Sequence, residues 1–112
     1  MHLTTSVADG IAVLAVSGEC DTSSAAELEA AIRDAVGVGV THVYLDLSEL
    51  SFLDTSGIRA LLSAQRAMDV AGCHFAVVAP SDHVRERLRI AGAEARLHIR
   101  DTIDPPPRVS AV

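Results

Sequence analysis

The stretch Leu45-Asp46-Leu47-Ser48-Glu49-Leu50-Ser51-Phe52-Leu53-Asp54-Thr55-Ser56-Gly57-Ile58 constrains the fold more than any other part of the chain. An apolar, strand-like run gives way to a turn. The turn sets an acid, two hydroxyls and a glycine at the start of a helix. Beyond it, Ile58, Leu61, Leu62, Ala64 and Met68 share one helical face over residues 56–71, and Gly72 is placed to end that helix. Strands that lead into helices are the repeating unit of α/β layer folds.

The flanking sequence supplies the other layers. Residues 3–7 and 11–17 are short runs rich in Val, Ile and Thr, with Asp9-Gly10 between them. A two-residue hairpin turn of the favoured twist needs positive φ, so this pattern predicts an antiparallel pair. Ser24-Ala25-Ala26-Glu27 fits a capping box, and Leu28, Ala31, Ile32, Ala35 and Val36 follow at helical spacing, with Gly37 placed to stop the helix. Residues 42–47 read as a central strand and 73–79 as a buried one. Pro80-Ser81 opens a third helix with Val84 and Leu88 inward, and 96–100 is a short last strand. The expected fold is α/β: a mixed sheet with an N-terminal β-hairpin and helices alternating with strands. Residues 1–103 read as a single domain. Pro105-Pro106-Pro107 can neither continue a helix nor join a ladder, so 104–112 reads as a flexible tail.

Composition narrows the partners. The chain has 112 residues, a length that suits one domain and can bury about two-thirds of the unfolded surface. Apolar residues make up 49% and aromatics 3%, with no Trp, so the core must be Val, Leu, Ile and Ala, and stacking platforms for bases are few. A formal net charge of −6 disfavours nucleic acid and anionic membranes, because phosphate binding needs clustered cations. Arg85, Arg87 and Arg89 crowd one short helix but point to different faces. Cys20 and Cys73 read as small buried hydrophobes. No export signal or membrane-length apolar run is evident, which makes the cytoplasm the expected location. The five histidines lack metal-ligand spacing and Gly37-Val38-Gly39 lacks the rest of a phosphate-cradling loop, so no metal or cofactor is expected. No nucleophile–base–acid set can be assigned, and the chain reads as a binding module, not an enzyme.

The turn itself has two readings. Asp54, Thr55 and Ser56 are ordinary helix caps, and Gly57 an ordinary cap-region glycine. A hydroxyl at a helix N-terminus can equally accept a phosphate, since free N–H groups and the helix dipole tolerate the added charge. The position favours the second reading, because the turn follows a buried strand and open α/β sheets expose functional loops at strand carboxyl ends.

This segment resembles the STAS domain family, specifically the bacterial anti-sigma factor antagonists, through residues 45–50, Phe52-Leu53 and Asp54-Thr55-Ser56-Gly57-Ile58. Gly18-Glu19-Cys20-Asp21 and Leu88-Arg89-Ile90-Ala91-Gly92 are weaker matches, and together the resemblance spans about residues 3–103. The resemblance implies that the hydroxyl after the aspartate, Thr55, is phosphorylated by an anti-sigma factor that is also a serine kinase, and that a PP2C-type phosphatase reverses it. Ser56 is the alternative acceptor. The family more often carries Ser at the position of Thr55. Asp54 would orient the acceptor, and Asp21 would lie beside it. Ser56, Gly57, Ile58, Arg59, Ser63 and Arg66 would join Asp21 and Asp54 at the partner surface. For Asp21 the plain alternative is a turn acid; for Arg59, Ser63 and Arg66 it is a solvated helix face. Ala93, where a larger residue often stands, and the Pro tract depart from the family pattern. Two other functions remain open: a non-switching STAS scaffold subunit of a signalling or lipid-transport complex, and a nucleotide-binding or hydrolysing domain.

Overall fold

The computed structural model describes residues 1–102. The chain runs β1 (His2–Ala8), β2 (Ile11–Cys20), α1 (Ala25–Asp34), β3 (His42–Leu53), α2 (Thr55–Ala71), β4 (His74–Val78), α3 (Asp82–Ile90), a 3₁₀ turn (Ala93–Ala95) and β5 (Ile99–Arg100). The strands form one sheet in the order β1-β2-β3-β4-β5. The first pair is antiparallel and the rest are parallel, so the sheet is mixed, and the hairpin, the alternation and the central place of β3 stand as expected. Asp9 and Gly10 both adopt positive φ, 53° and 78°, which is what the tight turn between β1 and β2 demands. The tail expected at 104–112 lies outside the described residues.

Several boundaries differ from the sequence reading. β3 does not stop at Leu47 but continues to Leu53, and β2 does not turn at Gly18 but continues to Cys20. The two extensions pair with each other, through register shifts between Ala15 and Ser17 and between Gly18 and Glu19. Such irregularities re-aim a strand and break the alternation that marks it in sequence. α1 ends at Asp34, so Gly37 does not cap it. The capping box is not formed either: the Ser24 hydroxyl accepts from the Asp21 N–H at 3.0 Å and makes no cap bond. Gly72, at φ 71°, does end α2, and the Ser81 hydroxyl caps α3 by accepting from the Val84 N–H.

One sheet face carries Leu14, Val16, Val43, Leu45, Leu47 and Val77, and all three helices pack on it. α1 contributes Leu28 and Ile32, α2 contributes Ile58, Leu61, Ala64 and Met68, and α3 contributes Val84 and Leu88. Each Leu, Ile, Val or Met among them stabilises the fold by about 1.5–3 kcal/mol through burial. Leu62, expected inward, is only half-buried at the edge of this core. Cys20 and Cys73 are free and buried, as small apolar residues would be.

Candidate functional site

The paired ends of β2 and β3 deliver two loops to one edge of the sheet. The Asp54 N–H donates to the Cys20 carbonyl at 3.2 Å, and the Ser51 hydroxyl donates to the Gly18 carbonyl at 2.9 Å. The Thr22 and Ser56 hydroxyls share a hydrogen bond of 3.1 Å. The loop that carries Asp21 is thereby tied to the start of α2, where the candidate acceptors sit. Thr22 was missed in the sequence, where nothing pairs it with a residue 34 positions away.

Among the three capping candidates, Asp54 is the cap. It sits in extended conformation, and its Oδ1 accepts from the Gly57 N–H at 3.0 Å. Thr55 is the first residue of α2 and is exposed, and no described residue hydrogen-bonds its hydroxyl. Ser56 is half-buried and engaged with Thr22. Of the two candidate hydroxyls, that of Thr55 is therefore the more accessible.

Asp21 is exposed, and its Oδ1 accepts from the Ser23 hydroxyl at 2.6 Å and the Ser23 N–H at 3.0 Å. These bonds favour the charged form and hold its carboxyl below the usual carboxylate range, the hydroxyl first. Asp21 thus shapes its own turn while keeping a negative charge beside the α2 start.

Gly57 and Ile58, expected at the partner surface, are buried. A Cβ on Gly57 would lie 2.4 Å from Leu53 Cδ1 and 3.0 Å from Cys20 Sγ. Gly57 therefore lets the first turn of α2 pack against the ends of β2 and β3. Ile58 is 4% exposed and belongs to the core. Ser63 is also turned inward: its hydroxyl donates to Glu29 Oε2 at 3.1 Å, joining α2 to α1. Arg59 and Arg66 are exposed, and neither forms an ion pair with a described residue. Arg59 lies one helical turn from Thr55, about 6 Å along the axis, and Arg66 about 16 Å. Arg66 lines a separate cleft of about 170 Å³ with Leu62, Gln65, Asp69 and Arg96.

A second cluster flanks the same edge of the sheet. Phe52 is half-buried, stacks on His83 at 6.4 Å between ring centroids, and has the Arg87 guanidinium 6.0 Å from its ring. The sequence offers no periodic signal for this cluster, because β3 and α3 meet only in the folded sheet. No group of three or more His, Cys, Asp or Glu among the described residues could hold a metal ion, and no helix among them is long and apolar enough to cross a membrane.

Comparison with known proteins agrees with this architecture. The family model of the STAS domain matches residues 2–105. The anti-sigma-F factor antagonist RsfB of Mycobacterium tuberculosis is 32% identical over 103 residues, covering 90% of this chain and 84% of RsfB. The crystal structure of an anti-sigma factor antagonist from Mycobacterium paratuberculosis superposes with a TM-score of 0.81 at 28% identity, covering 92% of this chain and 87% of that one. The anti-sigma factor antagonist SpoIIAA in its unphosphorylated form has a TM-score of 0.76 at 22% identity, covering 99% and 98%, and shares the fold. With a hairpin-led mixed sheet, helices packed on one face and a family match over nearly the whole described chain, this protein belongs to the STAS domain family.

Proposed function

We propose that this protein is an anti-sigma factor antagonist whose docking is switched by phosphorylation at Thr55. Unphosphorylated, it binds an anti-sigma factor that is also a serine kinase and so frees a sigma factor for transcription. Phosphorylated, it releases that partner until a PP2C-type phosphatase resets it. It acts as a substrate and binding module in the cytoplasm, not as an enzyme. The observation that carries this reading is the exposed Thr55 hydroxyl at the first residue of α2, beside an N-cap Asp54 that already does the capping. The relatives named as antagonists support the same reading.

The energetics favour a change of docking over a change of fold. A phosphate adds about −1.5 to −2 charges. At Thr55 it meets the positive end of the α2 dipole and lies one turn from Arg59, so the domain tolerates it. A partner packed over Thr55 does not, because a charge in a desolvated interface loses its hydration without an assured counter-ion. Asp21 and Asp54 add to the negative field at this edge. The contact surface so assigned comprises Asp21, Asp54, Ser56, Arg59 and Arg66, with Thr22 and Phe52 beside them.

Calorimetric titration against the purified kinase-type partner, with phosphosite mapping by mass spectrometry, tests this. Wild type is expected to be labelled on Thr55 and released in ATP. Thr55→Ala is expected to bind and stay bound in ATP, and Thr55→Glu to bind more weakly. Labelling that persists in Thr55→Ala and vanishes in Ser56→Ala moves the site by one residue. Equal affinities for all three forms rule out the switch and favour a scaffold.

A further inference from the structure

Leu62, Gln65, Arg66 and Asp69 follow one another at helical spacing on α2, and Arg96, just past the 3₁₀ turn, completes a cleft with them. Gln65 is only 5% exposed. Its Nε2 donates to Asp69 Oδ1 at 3.0 Å. That bond fixes the amide, because turning it over would set two oxygens against each other. Oε1 is therefore the atom left over. It is buried from water and accepts no hydrogen bond. A buried acceptor without a donor is uncommon and destabilising.

The charges around Gln65 are unmatched as well. Arg66 and Arg96 are exposed and form no ion pair with a described residue. The Asp69 carboxylate takes its hydrogen bond from the neutral Gln65 amide. Water solvates an exposed arginine, but it does not reach Oε1. The terminal torsion of a glutamine is soft, so a donor seated beside Asp69 meets Oε1 after a modest turn of the amide. The cleft holds about 170 Å³, several times the ~30 Å³ share of one water in the liquid. That is room for a molecule of amino-acid size.

The donor set selects the ligand. A lone anion is repelled by Asp69, and a lone cation by Arg66 and Arg96. A molecule that carries both charges close together satisfies all three, and Leu62 offers it an aliphatic wall. We propose that this cleft binds a free α-amino acid with a small aliphatic side chain. Arg66 and Arg96 hold its carboxylate, Asp69 and Gln65 Oε1 accept from its ammonium, and Leu62 lies against its side chain. The site is separate from Thr55 and does not depend on a switch there.

Nuclear magnetic resonance of the full-length chain, titrated with L-valine, tests this. Saturable shifts are expected at the backbone amides of residues 62–69 and 93–97. Isovalerate lacks the ammonium of valine, and isobutylamine lacks its carboxylate. Each is expected to bind at least about tenfold more weakly, the factor for one lost charge-assisted contact. Arg96→Ala, at an exposed position, is expected to weaken valine binding to the same extent with unchanged circular dichroism. Gln65→Met keeps the side-chain length, removes the acceptor and is expected to weaken it too. Absence of saturable shifts at these amides overturns the proposal. Equal affinity for isovalerate makes the cleft an anion site and overturns it. Undiminished valine binding in Arg96→Ala puts the ligand elsewhere and overturns it. Should Gln65→Met fail to fold, the two analogues and Arg96→Ala decide by themselves.

Discussion

Asp54 holds the first turn of α2 through one oxygen, and its charge faces the same edge as Thr55. Capping and charge can be separated by substitution. Asn caps as well as Asp, whereas Ala removes the bond to Gly57 and costs about 0.5–2 kcal/mol. Asp54→Ala is therefore expected to lower the urea midpoint and Asp54→Asn to leave it nearly unchanged. Partner affinity measured on Asp54→Asn then reads the charge alone, and a drop at constant stability assigns Asp54 to docking. Thr55 caps nothing, so Thr55→Ala is expected to stay within about 0.5 kcal/mol of wild type in stability. That near-neutrality makes it a clean probe of phosphorylation.

Elements meet at two places where a single side chain sets the fit. At the α2 N-terminus, Gly57→Ala forces a methyl into Leu53 and the Cys20 sulfur. Leu53 and Cys20 are fully buried, so neither has free space to retreat into. Overpacking of this kind costs about 1–3 kcal/mol. A fall in melting temperature of several degrees, measured by circular dichroism, is the expected result. At the start of the parallel strands, β3 and β4 set His42 opposite His74, with imidazole centroids 4.7 Å apart and stacked. Burial, then the neighbouring His74 and Arg100, hold His42 below its usual value of 6.5. The Thr41 hydroxyl bonds His42 Nδ1 at 2.8 Å, and the Tyr44 ring lies 6.2 Å away. The folded state thus binds its proton less readily than the unfolded state. Stability from His42 is present above pH 6.5 and is lost as pH falls through 6.5 toward the folded value. Denaturant melts at pH 7.5 and 5.5 are expected to show that loss in wild type and a smaller one in His42→Gln. The depressed Asp21 carboxyl acts lower, its contribution fading only as pH falls below 3.8.

The whole molecule is a two-layer body in which helices and sheet share one aliphatic core. Leu61 is fully buried where α2 meets the sheet. Leu61→Ala is expected to cost about 2–5 kcal/mol, read from chemical denaturation. Binding at the proposed partner surface is expected to suffer only through the fraction unfolded, because Leu61 is buried in the core. The edge that carries Thr55 is made by the carboxyl ends of β2 and β3, and no single segment could build it.

Local chemistry made much of this legible in the sequence. Asp9-Gly10 announced the hairpin because few residue pairs accept two positive φ angles in succession. The apolar spacing of 58–68 announced α2, and Gly72 its end, because helical period and left-handed caps are written in adjacent residues. The strand–turn–helix segment announced the family and the candidate acceptor. Other facts depend on contacts between distant parts of the chain. Leu53 and Cys20 close over Gly57 and take it and Ile58 away from the surface. Asp21 claims the Ser24 hydroxyl and undoes the capping box, which local spacing alone could not reveal. Paired bulges carry β2 and β3 past the points where their alternation stops, and so bring Thr22 to Ser56. Sequence periodicity records which face of an element is apolar. Only tertiary packing decides which residues on that face have room to meet a partner, because that depends on what closes over them.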